Sequence, residues 1–364
     1  MDGSLSLLVK PVSADCNMAC QYCFYRRPTD PYLSPERHLM DGATLRAMIS
    51  GYMKATGPSA SFGWQGGEPL LAGIGFFEKV VALQRECGLS GQLVGNNLQT
   101  NGLLLDERWA RFFRKYNFFI GVSLDGPAQL HSRYRRSVPG DDVFEQTLRG
   151  IQLLRDQGVE FSILSVVNDV TSKRPAELYE FFIGQGFDRL QFIPSLDADA
   201  QGRIQDWSVG AGAYRDFLCT LFDCWYNHGR PVASIRLFEN ILAVYMGQEP
   251  EICAFKERCG SYVVVEYNGD VYPCDFFVEK SWLLGNLREM SFGELLKKRR
   301  RRDFNDRKRL GAPGCSGCEW NFICGFGCQH YRLPGRENHF CDAYREFFRY
   351  SRSRFESLGR SLPD

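Results

Sequence analysis

The sequence predicts a parallel α/β fold, and three observations lead to this prediction. Roughly the first 230 residues repeat one unit, a short apolar run of strand length followed by an amphipathic stretch of helix length. The unit occurs six times, whereas a closed barrel needs eight. Near residue 235 the pattern ends and a smaller, cysteine-rich part begins. We therefore expect an open, partial (β/α)6 barrel of the TIM type over residues 1–235 and a second domain over 236–364, with a doubly wound sheet as the alternative to the barrel.

Strands are predicted at the six apolar runs, which are 5–12, 61–64, 93–98, 118–124, 160–167 and 189–194. Helices are predicted after them, near 41–56, 75–87, 106–116, 143–157, 175–185 and 211–227. In the second part, residues 261–275 predict a hairpin, because Asn268-Gly269 between two β-rich runs is a strong turn signal. A charged helix is predicted near 291–302. The stretch from there to Cys341 has little periodicity, so we expect its fold to depend on crosslinks such as bound metal or clusters.

The charge of the chain is balanced, with 44 Lys and Arg against 43 Asp and Glu and a net charge of +1. This balance gives no general attraction to nucleic acid or to an acidic membrane surface. The most basic run, 297–302, has acidic neighbours and is predicted to be a solvated helix face. No apolar run reaches the length of a membrane span, and residues 1–4 do not begin a secretory pattern. We expect a cytoplasmic protein with neither nucleic acid nor a membrane as partner.

The chain contains 14 cysteines, an unusual number. A disulfide framework and metal ligation are the two explanations. Disulfide-dense proteins are usually small and exported, whereas this chain is long and most of its cysteines are closely spaced. Metal or cluster ligation in a reducing compartment is therefore favoured. Cys87, Cys219 and Cys224 stand outside the closely spaced groups and are predicted to be core thiols.

Three cysteines, Cys16, Cys20 and Cys23, follow the first predicted strand with the spacing C-x3-C-x2-C. In parallel barrels, sites are built at the carboxyl ends of the strands, which is where this loop lies. Three thiolates can hold three irons of a [4Fe–4S] cube and leave the fourth iron open to a chelating ligand. A zinc site lacking its fourth ligand is the alternative.

This run resembles the signature of radical S-adenosylmethionine (AdoMet) enzymes, in which an aromatic residue precedes the last cysteine. The turn after the second strand, Gly66-Gly67-Glu68-Pro69, resembles the motif that holds the methionine amino group of AdoMet in that family. The resemblance also implies AdoMet contacts at the ends of later strands and in the arginine-rich segment after the fourth. The cofactor-binding residues that it implies are Tyr22, Gly66, Gly67, Glu68, Ser123, Arg135 and Leu196.

Eight further cysteines resemble the SPASM extension of radical AdoMet enzymes that modify peptides and proteins. Eight thiolates fill two four-iron cubes completely, and two zinc sites are the alternative. The resemblance implies a crossed connectivity, with Cys253, Cys259, Cys274 and Cys328 for one cube and Cys315, Cys318, Cys324 and Cys341 for the other. Together with the front loop, this implies three [4Fe–4S] clusters.

The run Cys274-Asp275-Phe276 resembles that of anaerobic sulfatase-maturating enzymes, and the resemblance extends over nearly the whole chain. It implies that Asp275 is the general base, a role that a carboxylate can fill. It also implies the substrate, a Cys/Ser-x-Pro-x-Arg segment of a sulfatase whose first residue becomes Cα-formylglycine, and an electron donor such as flavodoxin or ferredoxin. Two alternatives stay open: another SPASM enzyme that forms thioether or carbon–carbon crosslinks, and a non-catalytic iron–sulfur electron carrier.

Overall fold

The computed structural model describes residues 5–26, 31–32, 34, 36–199, 201–310, 313–333 and 337–361. Residues 1–4, for which no secretory pattern is predicted, lie outside these ranges. The chain forms two compact units from interleaved segments. The first unit comprises Met1–Ser123, Arg135–Phe161 and Gly260–Asn305, and the second comprises Leu124–Tyr134, Ser162–Cys259 and Asp306–Asp364. The predicted domain boundary at residues 235 and 236 stays a prediction.

The strands, in chain order, are β1 (Ser6–Val9), β2 (Ser59–Trp64), β3 (Leu93–Thr100), β4 (Phe118–Ser123), β5 (Phe161–Val167), β6 (Arg189–Pro194), β7 (Ser234–Ile235), β8 (Tyr262–Val265), β9 (Asp270–Tyr272) and β10 (Gly285–Asn286). The helices are α1 (Gly42–Ala55), α2 (Ile74–Cys87), α3 (Glu107–Lys115), α4 (Ala128–Tyr134), α5 (Phe144–Asp156), α6 (Pro175–Gly184), α7 (Ala211–Tyr226), α8 (Arg236–Tyr245), α9 (Phe292–Leu296), α10 (Arg299–Leu310), α11 (Asn321–Cys324) and α12 (Cys341–Ser361). Several short 3-10 helices connect them.

The first unit is built on a sheet with the strand order β10-β9-β8-β1-β2-β3-β4. Strands β8, β1, β2, β3 and β4 run parallel, and the hairpin β8–β9 continues antiparallel to β10. In the second unit, β5, β6 and β7 are parallel. All six predicted strands and the six helices predicted after them are present, so the predicted parallel α/β fold is confirmed.

Helix α1 shows how local signals begin these elements. The side chain of Asp41 accepts a hydrogen bond from the backbone N–H of Thr44 at 2.7 Å, which satisfies one of the free donors at the helix start. The buried face of the helix includes Tyr52, whose hydroxyl lies within hydrogen-bond distance of the carbonyl oxygens of Leu5 and Ser61, at 2.7 and 2.9 Å. Tyr52 thereby ties the helix to the starts of β1 and β2.

The pairing of β1 with two partners positions the candidate site. Val9 pairs in register with Trp64 of β2 and with Val265 of β8. The residue after each of these three positions therefore lies at the same carboxyl edge of the sheet. Those residues are Lys10, Gln65 and Glu266. Three polar side chains from distant parts of the sequence are thus brought to one place by strand register alone.

Two parts of the fold differ from expectation. The charged helix predicted over 291–302 is broken into α9 and α10, with Lys297 and Lys298 between them. This break lies within a run of six cations, where like charges at helical neighbour positions disfavour one continuous helix. The helices α4, α8, α11 and α12 and the strands β7 and β10 were not predicted. In α12 the apolar face that packs inward includes Phe347 and Phe355, but frequent arginines between them mask the pattern.

Candidate active site

The cysteine loop after β1 gathers its three thiols in one small apolar cluster. Cys20 is buried with Met18, Leu103 and Val143, and Cys16, Tyr22 and Cys23 pack against this group. The loop is held by the segment after α4, because Ala19 N–H donates to the carbonyl of Arg136 and Val138 N–H donates to that of Asn17. The loop predicted to hold the open cluster is therefore a compact feature of the first unit.

Burial raises the pKa of Cys16 to about 12, and the neighbouring thiols Cys20 and Cys23 add to this rise. Burial likewise raises the pKa of Cys23 to about 11. Cys20 is buried and Cys16 and Cys23 are half-buried, and such adjacent thiols become thiolates most readily when a metal replaces their protons. The loop therefore has the chemistry of a metal or cluster site.

The glycine turn after β2 is pressed against the residue that precedes Cys16. Gly66 and Gly67 have positive φ angles of 96° and 47°. A Cβ added to Gly67 would lie 2.0 Å from the carbonyl oxygen of Asp15, and Glu68 N–H donates to that same oxygen at 2.8 Å. In the structure, the close backbone approach at Gly67 is to the cysteine loop. The turn and the loop are thus packed tightly against each other, and only glycine fits at position 67.

Glu68 is fully buried, and both oxygens of its carboxylate accept hydrogen bonds from other residues of the chain. Oε1 accepts from Leu70 N–H at 3.0 Å and from the Thr100 hydroxyl at 2.9 Å, while Oε2 accepts from Asn101 N–H at 2.8 Å. Burial raises the pKa of Glu68 to about 7, although these donors oppose the rise. Asn101 also donates to the side chain of Asn17 in the cysteine loop at 2.7 Å. Glu68 therefore braces the ends of β2 and β3 beside the loop.

The remaining predicted AdoMet contacts lie in different places. Arg135 is buried, and its guanidinium carbon lies 5.4 Å from the ring centroid of Tyr22. Ser123, at the end of β4, accepts a hydrogen bond from Gln99 at 3.0 Å. Leu196 is buried in the second unit, two residues after β6. The structure thus brings Tyr22 and Arg135 together beside the cysteine loop, and their role toward AdoMet stays a prediction.

Asp275 is buried in a polar network at the carboxyl edge of β1, β2 and β8. Its Oδ1 lies 3.0 Å from the ammonium of Lys10, and its Oδ2 accepts a hydrogen bond of 2.5 Å from the Tyr25 hydroxyl. Gln65 donates to the same hydroxyl at 2.8 Å. Lys10 also pairs with Glu266 at 3.0 Å. Both oxygens of the predicted base are therefore held, one by a cation and one by a phenol.

Lys10 is almost completely buried, with 2% of its surface exposed. Burial would lower the pKa of Lys10, but the two carboxylates outweigh it and raise the pKa above its usual value. Lys10, Tyr25, Gln65 and Glu266 were not predicted as site residues. The available signal was a lysine directly after an apolar strand, where its charge needs buried partners. The identity of those partners depends on strand pairing.

The cysteines of the second unit fall into two groups. Burial, together with the neighbouring thiols Cys341, Cys315 and Cys318, raises the pKa of Cys324 to about 12. In the same way burial, together with Cys253 and Cys259, raises the pKa of Cys328 to about 12. The crossed connectivity that the resemblance implies stays a prediction. Cys274, the remaining cysteine, belongs to the first unit, where the Tyr262 hydroxyl lies 3.2 Å from its sulfur.

Within the described ranges, no three Cys, His, Asp or Glu side chains converge closely enough to hold one metal ion. Cys219 and Cys224 lie on α7 and Cys87 at the end of α2, outside both groups.

Two family models match the chain. The model of the Radical SAM superfamily matches residues 11–182, and the model of the iron–sulfur cluster-binding domain named SPASM matches residues 253–319. Together with the fold and the cysteine groups, these matches define the class of the protein. It is a radical AdoMet enzyme with a C-terminal iron–sulfur domain, and its cofactors are iron–sulfur clusters and AdoMet.

Similarity to known relatives identifies the family within this class. The serine-type anaerobic sulfatase-maturating enzyme of Bacteroides thetaiotaomicron is 34% identical over 95% of this chain and 89% of its own. The cysteine-type enzyme of Clostridium perfringens is 35% identical over 98% of this chain and 99% of its own. A solved structure, native anSMEcpe with bound AdoMet and Cp18Cys peptide, has a TM-score of 0.92 and 35% identity and covers 99% of this chain and 100% of that one. This chain belongs to the family of anaerobic sulfatase-maturating enzymes.

None of the helices in the described ranges combines the length and the apolarity that crossing a membrane requires.

Proposed function

We propose that this enzyme oxidises a cysteine or serine of a sulfatase, within a Cys/Ser-x-Pro-x-Arg segment, to Cα-formylglycine. One observation carries the proposal: Tyr25, two residues after Cys23, donates its hydroxyl to Asp275 at 2.5 Å. This contact joins the loop predicted to hold the open cluster to the predicted base. A base placed beside the source of the radical is what a two-step oxidation at one carbon requires.

Three [4Fe–4S] clusters are part of this proposal. Cys16, Cys20 and Cys23 would hold the open cluster, and the two sets of four cysteines would hold the others. When bound, the open cluster and AdoMet would supply the radical chemistry that takes one hydrogen atom from the substrate Cβ, and the other clusters would give the second electron a place to go. Gly66 and Gly67 would offer backbone groups to the AdoMet amino group, and Arg135 would pair with its carboxylate.

The side chains of the polar network handle the proton that leaves the substrate. Removal of one hydrogen atom from Cβ and of one electron leaves one proton to depart from the thiol or hydroxyl. Asp275 would accept this proton, while Lys10 and Tyr25 hold its carboxylate in place. The product is a thioaldehyde or an aldehyde, and water converts the thioaldehyde to the aldehyde with release of hydrogen sulfide. We place the protein in the cytoplasm with flavodoxin or ferredoxin as its electron donor.

The test is an anaerobic assay of reduced enzyme with AdoMet and each of two peptides, one with Cys and one with Ser before x-Pro-x-Arg. A third peptide with Ala at that position is the matched control. Mass spectrometry should show loss of two hydrogens from the serine peptide, or exchange of sulfur for oxygen and loss of two hydrogens from the cysteine peptide. A crosslinked product would assign the chain to another peptide modification. Absence of AdoMet cleavage would indicate an electron carrier.

A further inference from the structure

A buried lysine lies among the cysteines of the second unit. Lys308 is on α10 and is fully buried. Its ammonium donates to the backbone carbonyls of Cys253 and Ala254, at 3.0 and 2.9 Å, and to that of Lys256. An ammonium has three N–H donors, so all of them are directed at the backbone around one predicted cluster ligand. This lysine therefore shapes the loop that presents Cys253.

The charge of this lysine has an unusual environment. In the described part of the chain, no carboxylate lies within ion-pair distance of Lys308. A buried charge without a counter-ion is costly. On balance burial lowers the pKa of Lys308, and the cysteines Cys259, Cys328, Cys253 and Cys324 oppose that fall. The ammonium instead contacts the backbone of the loop that carries Cys253, a predicted cluster ligand that is a thiolate when it binds iron.

Lys308 lies where the two predicted ligand sets approach each other, because Cys253 is in one set and Cys324, next to Gly325, is in the other. The two cysteine-bearing loops are also pressed together. A Cβ added to Gly325 would lie 2.2 Å from the carbonyl oxygen of Phe255, within the loop that Lys308 holds. Arg332 completes the junction by donating to the carbonyls of Lys308 and Phe326, at 2.6 and 2.8 Å.

We propose that Lys308 is a positioning residue that places a fixed positive charge between the two C-terminal cluster sites and thereby raises the reduction potential of at least one of these clusters. A nearby cation favours the reduced form of a cluster, because reduction adds negative charge. A higher potential favours uptake of the electron that the substrate radical releases. That last step rests on the proposed function, whereas the effect on the potential does not.

The test compares Lys308→Gln, Lys308→Met and Lys308→Arg in the full chain with all clusters reconstituted. Glutamine keeps two N–H donors for the carbonyls and removes the charge, whereas arginine keeps the charge. Lys297→Gln is the matched control, because Lys297 is exposed. Iron content is measured first, and the potentials are then obtained by redox titration followed by electron paramagnetic resonance, without substrate.

We expect Lys308→Gln to shift the potential of at least one C-terminal cluster to a more negative value, with the AdoMet-binding cluster unchanged. Lys308→Arg should restore the potential, and Lys297→Gln should leave all potentials at the parental values. Selective loss of the C-terminal clusters in both neutral variants would show that Lys308 has a structural role and would overturn the proposed effect on the potential. Parental potentials in a fully loaded Lys308→Gln protein would overturn it, as would loss of all iron from both neutral variants.

The result is independent of the proposed function, since the titration uses no sulfatase peptide. If the peptide assay fails and the potential still shifts, the role of Lys308 stands and the substrate must be sought elsewhere. If formylglycine forms and the potential does not shift, the lysine has only a structural role.

Discussion

The ammonium of Lys10 lies 3.0 Å from Oδ1 of Asp275 and 3.0 Å from Oε1 of Glu266, and all three side chains are buried. One cation therefore separates two carboxylates, one of which is the predicted base. Without the cation, the two carboxylates would repel each other in a medium that solvates them poorly. The position of Asp275 depends on this arrangement.

Lys10→Met should destabilise the protein by about 3–5 kcal/mol, the usual cost of leaving a buried charge without its partner. The measurement is urea denaturation of the anaerobic protein. Lys54→Met, which changes an exposed lysine, is the control and should stay within about 0.5 kcal/mol of the parent. Adding Glu266→Gln to Lys10→Met should recover part of the loss, because it removes one of the unpaired charges. Equal stability of the Lys10 and Lys54 variants would contradict this account.

Asp275→Asn should lower formylglycine formation on the order of 10²-fold or more, since asparagine cannot accept the substrate proton. Release of 5′-deoxyadenosine should continue, because removal of the hydrogen atom needs no base. Both products are measured in the same anaerobic assay by mass spectrometry. Asp206→Asn changes an exposed aspartate and should behave like the parent. Parental formylglycine formation by Asp275→Asn would show that Asp275 is not the base.

Gly67→Ala should disturb the cysteine loop before it affects AdoMet directly. The added methyl group would lie 2.0 Å from the carbonyl oxygen of Asp15, so the backbone before Cys16 must move. We expect loss of iron from the open cluster and, with it, loss of AdoMet binding in equilibrium dialysis. Gly75→Ala is the control, because its added carbon meets nothing within 4 Å. Full iron content with weakened AdoMet binding would instead indicate that the added methyl group clashes with AdoMet itself.

Glu68→Gln should destabilise the protein by about 1–3 kcal/mol, although the two side chains have nearly the same shape. Each carboxylate oxygen accepts a backbone N–H, from Leu70 or from Asn101. An amide can accept at only one of these positions and places a donor against a donor at the other. Urea denaturation measures the effect, and Glu78→Gln on the exposed face of α2 is the control. No difference between the two variants would show that Glu68 does not brace the strand ends.

Replacing Cys16, Cys20 and Cys23 together by alanine should abolish AdoMet cleavage and leave about two-thirds of the iron, because each cube has its own ligands. Iron and sulfide analysis of the reconstituted protein measures the remainder. The triple change Cys87→Ala, Cys219→Ala and Cys224→Ala is the control and should keep all the iron. Loss of all iron from the first variant, or zinc in the C-terminal part, would refute the proposal of three clusters.

Short-range patterns in the sequence determined much of the secondary structure of this protein and one of its cysteine loops. The alternation of apolar runs and amphipathic stretches predicted the six strands and the helices after them. The spacing of Cys16, Cys20 and Cys23 indicated one cluster loop by itself. Such features can be predicted because the interacting residues lie within one or two turns of the chain. The extension of the fold by α8 and α12 could not be predicted as readily, since arginines interrupt the apolar pattern of α12.

Only the tertiary structure decided which buried charges meet. Lys10 follows the first strand and Glu266 follows the eighth, and the parallel pairing of Val9 with Val265 alone makes them neighbours. Lys308 likewise belongs to a highly charged helix and would be taken for a solvent-exposed residue, yet it is fully buried against the backbone of a cysteine loop. The sequence by itself predicted which residues bind iron. The fold decided which charges surround those sites, because pairing between distant segments leaves no local pattern in the chain.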